Sequence, residues 1–161
     1  MKKNLGITLV ELLISLLILA MLAMFCIPSG LTLYQNNQLQ VIENEIIMAI
    51  KFARNSALLE GVPLTLTPLP HSTDWSEGMI LFTDNKAHQY KEPDQIIHQW
   101  RWKYKTVKVG WKGFLSTHYL IFSPQLDHSA TSGHFIIQTD NTHVAQLVVN
   151  RFGRVTKHDI I

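Results

Sequence analysis

The sequence opens with an apolar run that decides most of what the chain can become. Residues 7–27 contain one charged side chain, Glu11, and they follow two lysines, Lys2 and Lys3. An α-helix of about 20 apolar residues is long enough to cross the hydrocarbon core of a bilayer. Lysines before the run hold the N-terminus on the cytoplasmic side. The run therefore predicts one membrane-anchoring helix, with the rest of the chain across the membrane.

Glu11 separates three interpretations of this run. A plain signal anchor has no need of a carboxylate, and a secretory signal peptide needs a small-residue cleavage site after its apolar core. Here the core is followed by Pro28-Ser29-Gly30. An ionised carboxylate inside a bilayer is costly and usually functional, and a buried charge is tolerated when it is paired. The third interpretation is therefore that Glu11 has a charged partner.

Residues 6–11, Gly-Ile-Thr-Leu-Val-Glu, resemble the processing site of type IV prepilins and type II secretion pseudopilins. In that family a membrane peptidase cuts after the glycine, here Gly6, and methylates the new N-terminus, here Ile7, where Phe or Met is commoner. The resemblance implies that Glu11 neutralises the N-terminus of a neighbouring subunit during filament assembly. Pro28 falls where many members carry a helix-kinking proline.

A second helical pattern follows Pro28. Apolar residues recur at spacings of three and four and form one stripe: Leu39, Ile42, Ile46, Ile50, Ala53 and Ala57. Gly61 and then Pro63 are typical of a helix end. We expect residues 28–60 to form an amphipathic helix packed on a domain, with a bend permitted at Pro28 and Gly30.

The residues beyond Gly61 change to the short alternating pattern of strands. Seven strands are expected, over residues 62–67, 78–82, 96–102, 106–109, 119–122, 134–138 and 144–149. A helix followed only by strands indicates an α+β domain, with the helix against an antiparallel sheet. The predicted organisation is a leader, a transmembrane or filament-core helix, an amphipathic helix and an antiparallel β domain. Their bounds are 1–6, 7–27, 28–60 and 61–161.

Short motifs in the β region narrow the resemblance to the GspH/FimT-like minor pilins and pseudopilins. They are Phe-Ala-Arg-Asn-Ser-Ala at 52–57, Asp-Trp-Ser-Glu-Gly at 74–78, Phe-Ser-Pro at 122–124 and Asn-Arg-Phe-Gly-Arg-Val at 150–155. Their order matches that of the family along nearly the whole chain. The resemblance implies two small antiparallel sheets packed on the long helix.

The residues that usually carry catalysis or bind metals form no recognisable motif. The one cysteine, Cys26, lies in the apolar run, and the eight histidines show no metal-ligand spacing on one predicted element. Gly-rich phosphate loops and Gly-x-Ser-x-Gly elbows are absent from the sequence as well. We expect no enzyme activity, no metal and no cofactor, so function should come from assembly and binding.

The charge of the predicted soluble part is uneven. Residues 28–99 hold four basic and eight acidic side chains, whereas residues 100–161 hold eight basic and three acidic ones. One basic stretch is Trp-Arg-Trp-Lys-Tyr-Lys at 100–105. On a strand, Arg101, Lys103 and Lys105 would share one face. That face is either solvated surface or a stripe for phosphates.

The second basic stretch lies near the C-terminus. Arg151, Arg154 and Lys157 surround Gly153, which permits a turn. Some FimT-like proteins bind DNA through a C-terminal Gly-Arg-x-Arg element during natural transformation. This chain has Thr156 in place of the second arginine, and Lys157 would point to the opposite face of a strand. The resemblance implies double-stranded DNA as a partner, and an ordinary exposed strand end is the alternative.

Three functions share this anchor and processing site. The first is a FimT-like minor pilin of a type IV pilus that binds extracellular DNA for natural transformation. The second is a GspH-like pseudopilin of a type II secretion system, and the third is a minor pilin that only primes assembly. All three imply other pilins or pseudopilins, the prepilin peptidase and the membrane as partners. They also imply a single-pass inner-membrane protein with a periplasmic domain, which then enters a pilus or pseudopilus.

Overall fold

The computed structural model describes residues 8–72, 74–104, 106–125, 129, 131–139 and 144–160, with backbone alone for 25–32, 35–36 and 159–160. Helix α1 spans Leu9–Glu60. The strands are β1 Leu64–Pro68, β2 Gly78–Thr83, β3 Ile96–Arg101, β4 Val107–Gly113, β5 Leu120–Phe122, β6 Gly133–Thr139, β7 Val144–Val149 and β8 Val155–Ile160. A single 3₁₀ turn, Trp75–Glu77, precedes β2.

Helix α1 is one continuous element across the two helical segments predicted from the sequence, and it is helical through Pro28 and Gly30. It ends as predicted. Gly61 has a φ of 69°, and its backbone N–H donates to the carbonyl oxygen of Ala57 at 3.1 Å, which is the left-handed glycine cap of a helix end.

The chain divides into two compact units, with the division between Asn37 and Gln38 inside α1. The predicted boundary at residues 27 and 28 stays a prediction, as does the leader over residues 1–6, which lies outside the described residues. No helix in the described part of the chain combines the length and the apolar character required of a membrane span.

The strands of the second unit form two antiparallel sheets of four. The first has the order β3-β2-β1-β5 and the second the order β4-β6-β7-β8. Helix α1 packs its apolar stripe on this β structure, so the predicted α+β class with two antiparallel sheets is confirmed. The buried stripe and the inner faces of both sheets form one core.

Small residues on α1 explain how the helix approaches the sheets. Ala49, Ala53 and Ala57 are fully buried, in line with Ile46 and Ile50. Their short side chains allow the larger core residues of the strands to fill the space opposite. These large core residues are Leu64, Leu66, Leu81 and Phe122 in the first sheet and Val109, Trp111, Phe135 and Leu147 in the second.

Several strand predictions need correction. The first strand begins at Leu64 and not at residue 62, and the fourth runs to Gly113 instead of ending at residue 109. The third strand ends at Arg101, not at Trp102, because its partner strand β2 begins at Gly78, opposite Arg101. The backbone N–H of Trp102 donates to the carbonyl oxygen of Glu77, in the 3₁₀ turn, at 2.9 Å. The expected set of seven strands also lacked an eighth, Val155–Ile160, which pairs with β7 over its full length.

Candidate nucleic-acid interface and assembly residues

The turn between β7 and β8, residues 150–154 and here called the arginine turn, is held together by Asn150. The side-chain Oδ1 of Asn150 accepts hydrogen bonds from the backbone N–H groups of Phe152 and Arg154, both at 2.9 Å. Its backbone N–H donates to the carbonyl oxygen of Arg154 at 3.0 Å, and its carbonyl oxygen accepts from Gly153 at 2.9 Å. One asparagine therefore fixes the path of the whole turn.

Thr131 ties the arginine turn to the neighbouring chain segment before β6. Its buried hydroxyl lies 2.9 Å from the carbonyl oxygen of Asn150 and 3.0 Å from that of Arg151. Arg151, Phe152 and Arg154 are exposed on this fixed backbone. The predicted exposed basic turn is therefore present, and its two arginines lie within four residues of each other on a braced loop.

Gly153 is the point at which the arginine turn meets α1. Its φ of 70° lies in the left-handed region, where glycine avoids the strain that other residues meet. A Cβ atom at Gly153 would lie 3.3 Å from Cδ of Arg54 and 3.8 Å from its Nη1. The guanidinium of Arg54 therefore lies against the turn and adds a third arginine to the two predicted ones.

Lys157 occupies a different environment. Its Nζ lies 2.8 Å from Oε2 of Glu43 on α1, and the Glu43 side chain is only 4% exposed. Lys157 pairs with Leu147 of the core face, whereas the next residue along, His158, pairs with Gln146. The structure thus brings Arg151 and Arg154 together but places Lys157 in the contact between α1 and β8.

Replacing Lys157 by methionine is expected to lower the free energy of unfolding by about 2 kcal/mol. The change keeps most of the stem but leaves the carboxylate of Glu43 buried without its cation, and Oε1 of Glu43 has no hydrogen-bond partner among the described residues. A fully buried pair broken in this way costs about 3–5 kcal/mol, and the 38% exposure of Lys157 reduces this figure. The free energy of unfolding is measured by chemical denaturation, with tryptophan fluorescence as the signal.

The double variant Glu43→Met with Lys157→Met serves as the control, because it removes both charges and should recover most of the loss. Arg154→Ala should change the free energy by less than about 0.5 kcal/mol, as an exposed substitution usually does. A Lys157→Met protein as stable as the wild type would contradict a structural role for this ion pair.

The first basic stretch is arranged partly as predicted. Arg101 and Lys103 are exposed and Trp102 is buried, but residues 102–104 are not a strand, and Lys105 lies outside the described residues. Trp102 is fixed by a hydrogen bond from its indole N–H to Glu45 on α1. The alternation of exposure therefore continues one residue past the end of β3, where Trp102 is anchored to α1.

Arg101 and Lys103 line a cleft of about 1360 Å³ that also borders β4. The charged residues that line the cleft are of both signs. The basic residues are Arg101, Lys103, Lys108 and Lys112, and the acidic ones are Asp74, Glu77 and Glu92. Residues 101–104 precede β4, which begins at Val107 opposite Thr139, whereas the arginine turn follows Val149, in the row of Gly113 and Gly133 at the other end of the second sheet. The two basic stretches therefore lie at different ends of this sheet.

Glu11 takes part in the start of α1. Its Oε2 accepts hydrogen bonds from the backbone N–H of Thr8 at 3.2 Å and from the Thr8 hydroxyl at 3.3 Å. The backbone N–H of Glu11 donates in turn to Thr8 Oγ1 at 3.3 Å. This reciprocal pattern is a capping box. Gly6 and Ile7 lie outside the described residues, and of Pro28 only the helical backbone is described.

Comparison with known proteins agrees with this architecture. Residues 44–153 match the family model described as Type II transport protein GspH, and residues 1–27 match the prokaryotic N-terminal methylation motif. A search of curated proteins finds no significant match.

Among solved structures, the type IV minor pilin FimU of Pseudomonas aeruginosa is similar in two crystal forms. In space group P21 the TM-score is 0.59 at 15% identity, over 77% of this chain and 90% of FimU. In space group P65 the TM-score is 0.50 at 16% identity, over 74% and 91%. At this identity the likeness establishes the fold.

The long capped helix, the two small antiparallel sheets and the N-terminal motif define a subunit of the pilin and pseudopilin class. Within that class the chain belongs to the GspH family, because the family model covers more than half of its length. The predicted membership of the GspH/FimT-like pilins is thereby confirmed.

Proposed function

We propose that this protein is a minor type IV pilin that captures extracellular double-stranded DNA for uptake in natural transformation. The arginine turn carries the proposal. It exposes Arg151 and Arg154 on a backbone fixed by Asn150 and Thr131, with Arg54 packed against Gly153. A guanidinium presents a planar fork of donors that suits phosphate oxygens. Because the turn is already ordered, little entropy is lost when it binds.

The remaining basic residues take different parts in the proposal. Lys157 holds α1 to β8 through Glu43 and supports the turn indirectly. Arg101 and Lys103, and Lys105 by its sequence position, raise the positive potential at the other end of the second sheet without direct contact being required. Such a field increases the rate at which a polyanion reaches the protein.

The N-terminal motif supports a proposal for processing and location. We propose that the prepilin peptidase cuts after Gly6 and methylates Ile7. The chain would first be a single-pass protein of the inner membrane with its globular unit in the periplasm. It would then join other pilins in the filament, where Glu11 neutralises the N-terminus of an adjacent subunit.

A pseudopilin of a type II secretion system is the second candidate. It is favoured by the description of the matching family, Type II transport protein GspH. In that function the partners would be other pseudopilins, and the arginine turn would be ordinary surface. The two candidates differ in what a cell loses when the arginines are removed.

The test uses a strain that lacks the gene and is complemented with the wild type or with Arg151→Ala/Arg154→Ala. Three quantities are measured: duplex DNA retained at the cell surface, transformation frequency and secretion of an exported enzyme. The matched control is Lys86→Ala/Lys91→Ala, which removes two exposed charges from the loop between β2 and β3. A DNA-capturing pilin predicts that only the arginine variant loses DNA retention and transformation.

A secretion pseudopilin predicts a different result. If deletion of the gene abolishes secretion, and the arginine variant restores every measured quantity, the protein is a secretion pseudopilin. The proposal of DNA capture would then be wrong.

A further inference from the structure

The arginine turn also exposes an aromatic ring. Phe152 follows Arg151 directly, precedes Arg154 by two residues and is 54% exposed. Its backbone N–H is held by Oδ1 of Asn150 at 2.9 Å, so the backbone that carries the ring is fixed. An exposed phenyl group between two arginines is unusual for a turn that only has to remain soluble.

A second exposed ring is held at the same end of the sheet. Gly113, Gly133 and Val149 form one row of paired residues at this end of β4, β6 and β7. Phe114 follows Gly113 directly and is 89% exposed. Its backbone N–H donates to the carbonyl oxygen of Ser132 at 2.9 Å. Ser132 is next to Thr131, which braces the arginine turn, so one short segment holds both aromatic positions.

We propose that this end of the sheet binds single-stranded DNA in preference to duplex, with Phe152 stacked on a base and Arg151 and Arg154 on the flanking phosphates. The inference rests on the proposed function, because it uses the same turn: the arginines bind the phosphates of either form of DNA, and the rings add affinity where the bases are unpaired. Phe114 follows β4 at the same end of the sheet, two strand spacings or roughly 10 Å from β7, so a single strand that crosses this end from Phe152 reaches it.

The preference follows from which surfaces each form of DNA offers. In a duplex the flat faces of the bases are stacked inside and only their edges line the grooves. An exposed ring on the protein therefore adds little affinity for a duplex unless the duplex is kinked. A single strand presents base faces, and a base stacked on an aromatic side chain adds affinity that does not depend on sequence. The arginine turn offers both kinds of contact, because it has a ring for stacking on a base and two arginines for the phosphates.

The test compares a labelled oligothymidine strand with a duplex of the same length, using the full chain in a non-ionic detergent. The variants are Phe152→Ala, Phe152→Trp, Phe114→Ala and Arg151→Ala/Arg154→Ala. We expect Phe152→Ala to weaken binding of the single strand about tenfold and to change duplex binding by less than about twofold. Phe152→Trp should retain the affinity, because stacking requires only a flat ring. The arginine pair should weaken binding of both forms.

Three outcomes would overturn the inference in different ways. Tighter binding of the duplex with no effect of Phe152→Ala would show that the rings touch no base, and the proposed capture of DNA would survive. If the protein bound neither form of DNA, the proposed function of DNA capture would itself be wrong. If Phe152→Ala and Phe114→Ala alter sedimentation of the protein and leave DNA binding unchanged, the rings contact another protein subunit.

Discussion

Replacing Glu11 by alanine is expected to abolish incorporation of the protein into filaments while leaving the globular unit folded. In the proposed assembly the Glu11 carboxylate meets the positive N-terminus of a neighbouring subunit. Without it, that charge would be buried unpaired at a cost of several kcal/mol. The measurement is the amount of protein in sheared filaments, relative to the amount in the membrane.

Glu11→Gln separates the two roles that this side chain can have. Glutamine also closes a capping box, so it preserves the bonds to Thr8 at the start of α1 and removes only the charge. We expect Glu11→Gln to fail in incorporation as Glu11→Ala does. If the glutamine variant were incorporated normally, helix capping would be the role of Glu11 and pairing with a neighbouring subunit would be excluded.

Replacing Gly78 by alanine is expected to lower the free energy of unfolding by about 3 kcal/mol or more. Gly78 begins β2 with φ 134° and ψ −165°, a region essentially reserved for glycine, where other residues are strained by about 1–3 kcal/mol. An added Cβ would also lie 2.2 Å from the carbonyl oxygen of Trp100 on β3. Strand β3 would have to move, which adds to the strain.

Gly110→Ala in β4 is the matched control. A Cβ there meets no atom within 4 Å, and alanine is favoured over glycine within a strand by about 0.5–1 kcal/mol. This variant should therefore be as stable as the wild type or slightly more so. All four tryptophans lie between residues 75 and 111, so fluorescence during chemical unfolding reports on the sheets. Equal losses in both variants would contradict the explanation by close backbone approach.

Much of the fold could be predicted because its signals are local. The apolar stripe on α1 and the glycine at its end depend on residues a few positions apart, and both appear in the structure where they were expected. The eighth strand was missed because Val155–Ile160 contains Lys157, His158 and Asp159, which interrupt the apolar alternation. Its position is set by pairing with β7, and that pairing is a contact between strands.

The site could be predicted only in part. The glycine and two arginines of the turn are adjacent in sequence, so their proximity was visible. Arg54 packs on the turn from α1, and the sequence contains no sign of this contact. Lys157 was grouped with the arginines by its charge, although its partner Glu43 lies on the helix and is buried. Charged residues that meet across the fold leave no periodic pattern.

The most direct test of DNA capture by the arginine turn is the salt dependence of duplex binding by the full chain in non-ionic detergent. The logarithm of the binding constant falls with the logarithm of salt concentration, by about 0.9 for each phosphate contact. We predict that Arg151→Ala/Arg154→Ala weakens binding and reduces this slope by about 1.8, whereas Lys86→Ala/Lys91→Ala leaves it unchanged. Equal affinity and equal slope for wild type and arginine variant would contradict the account.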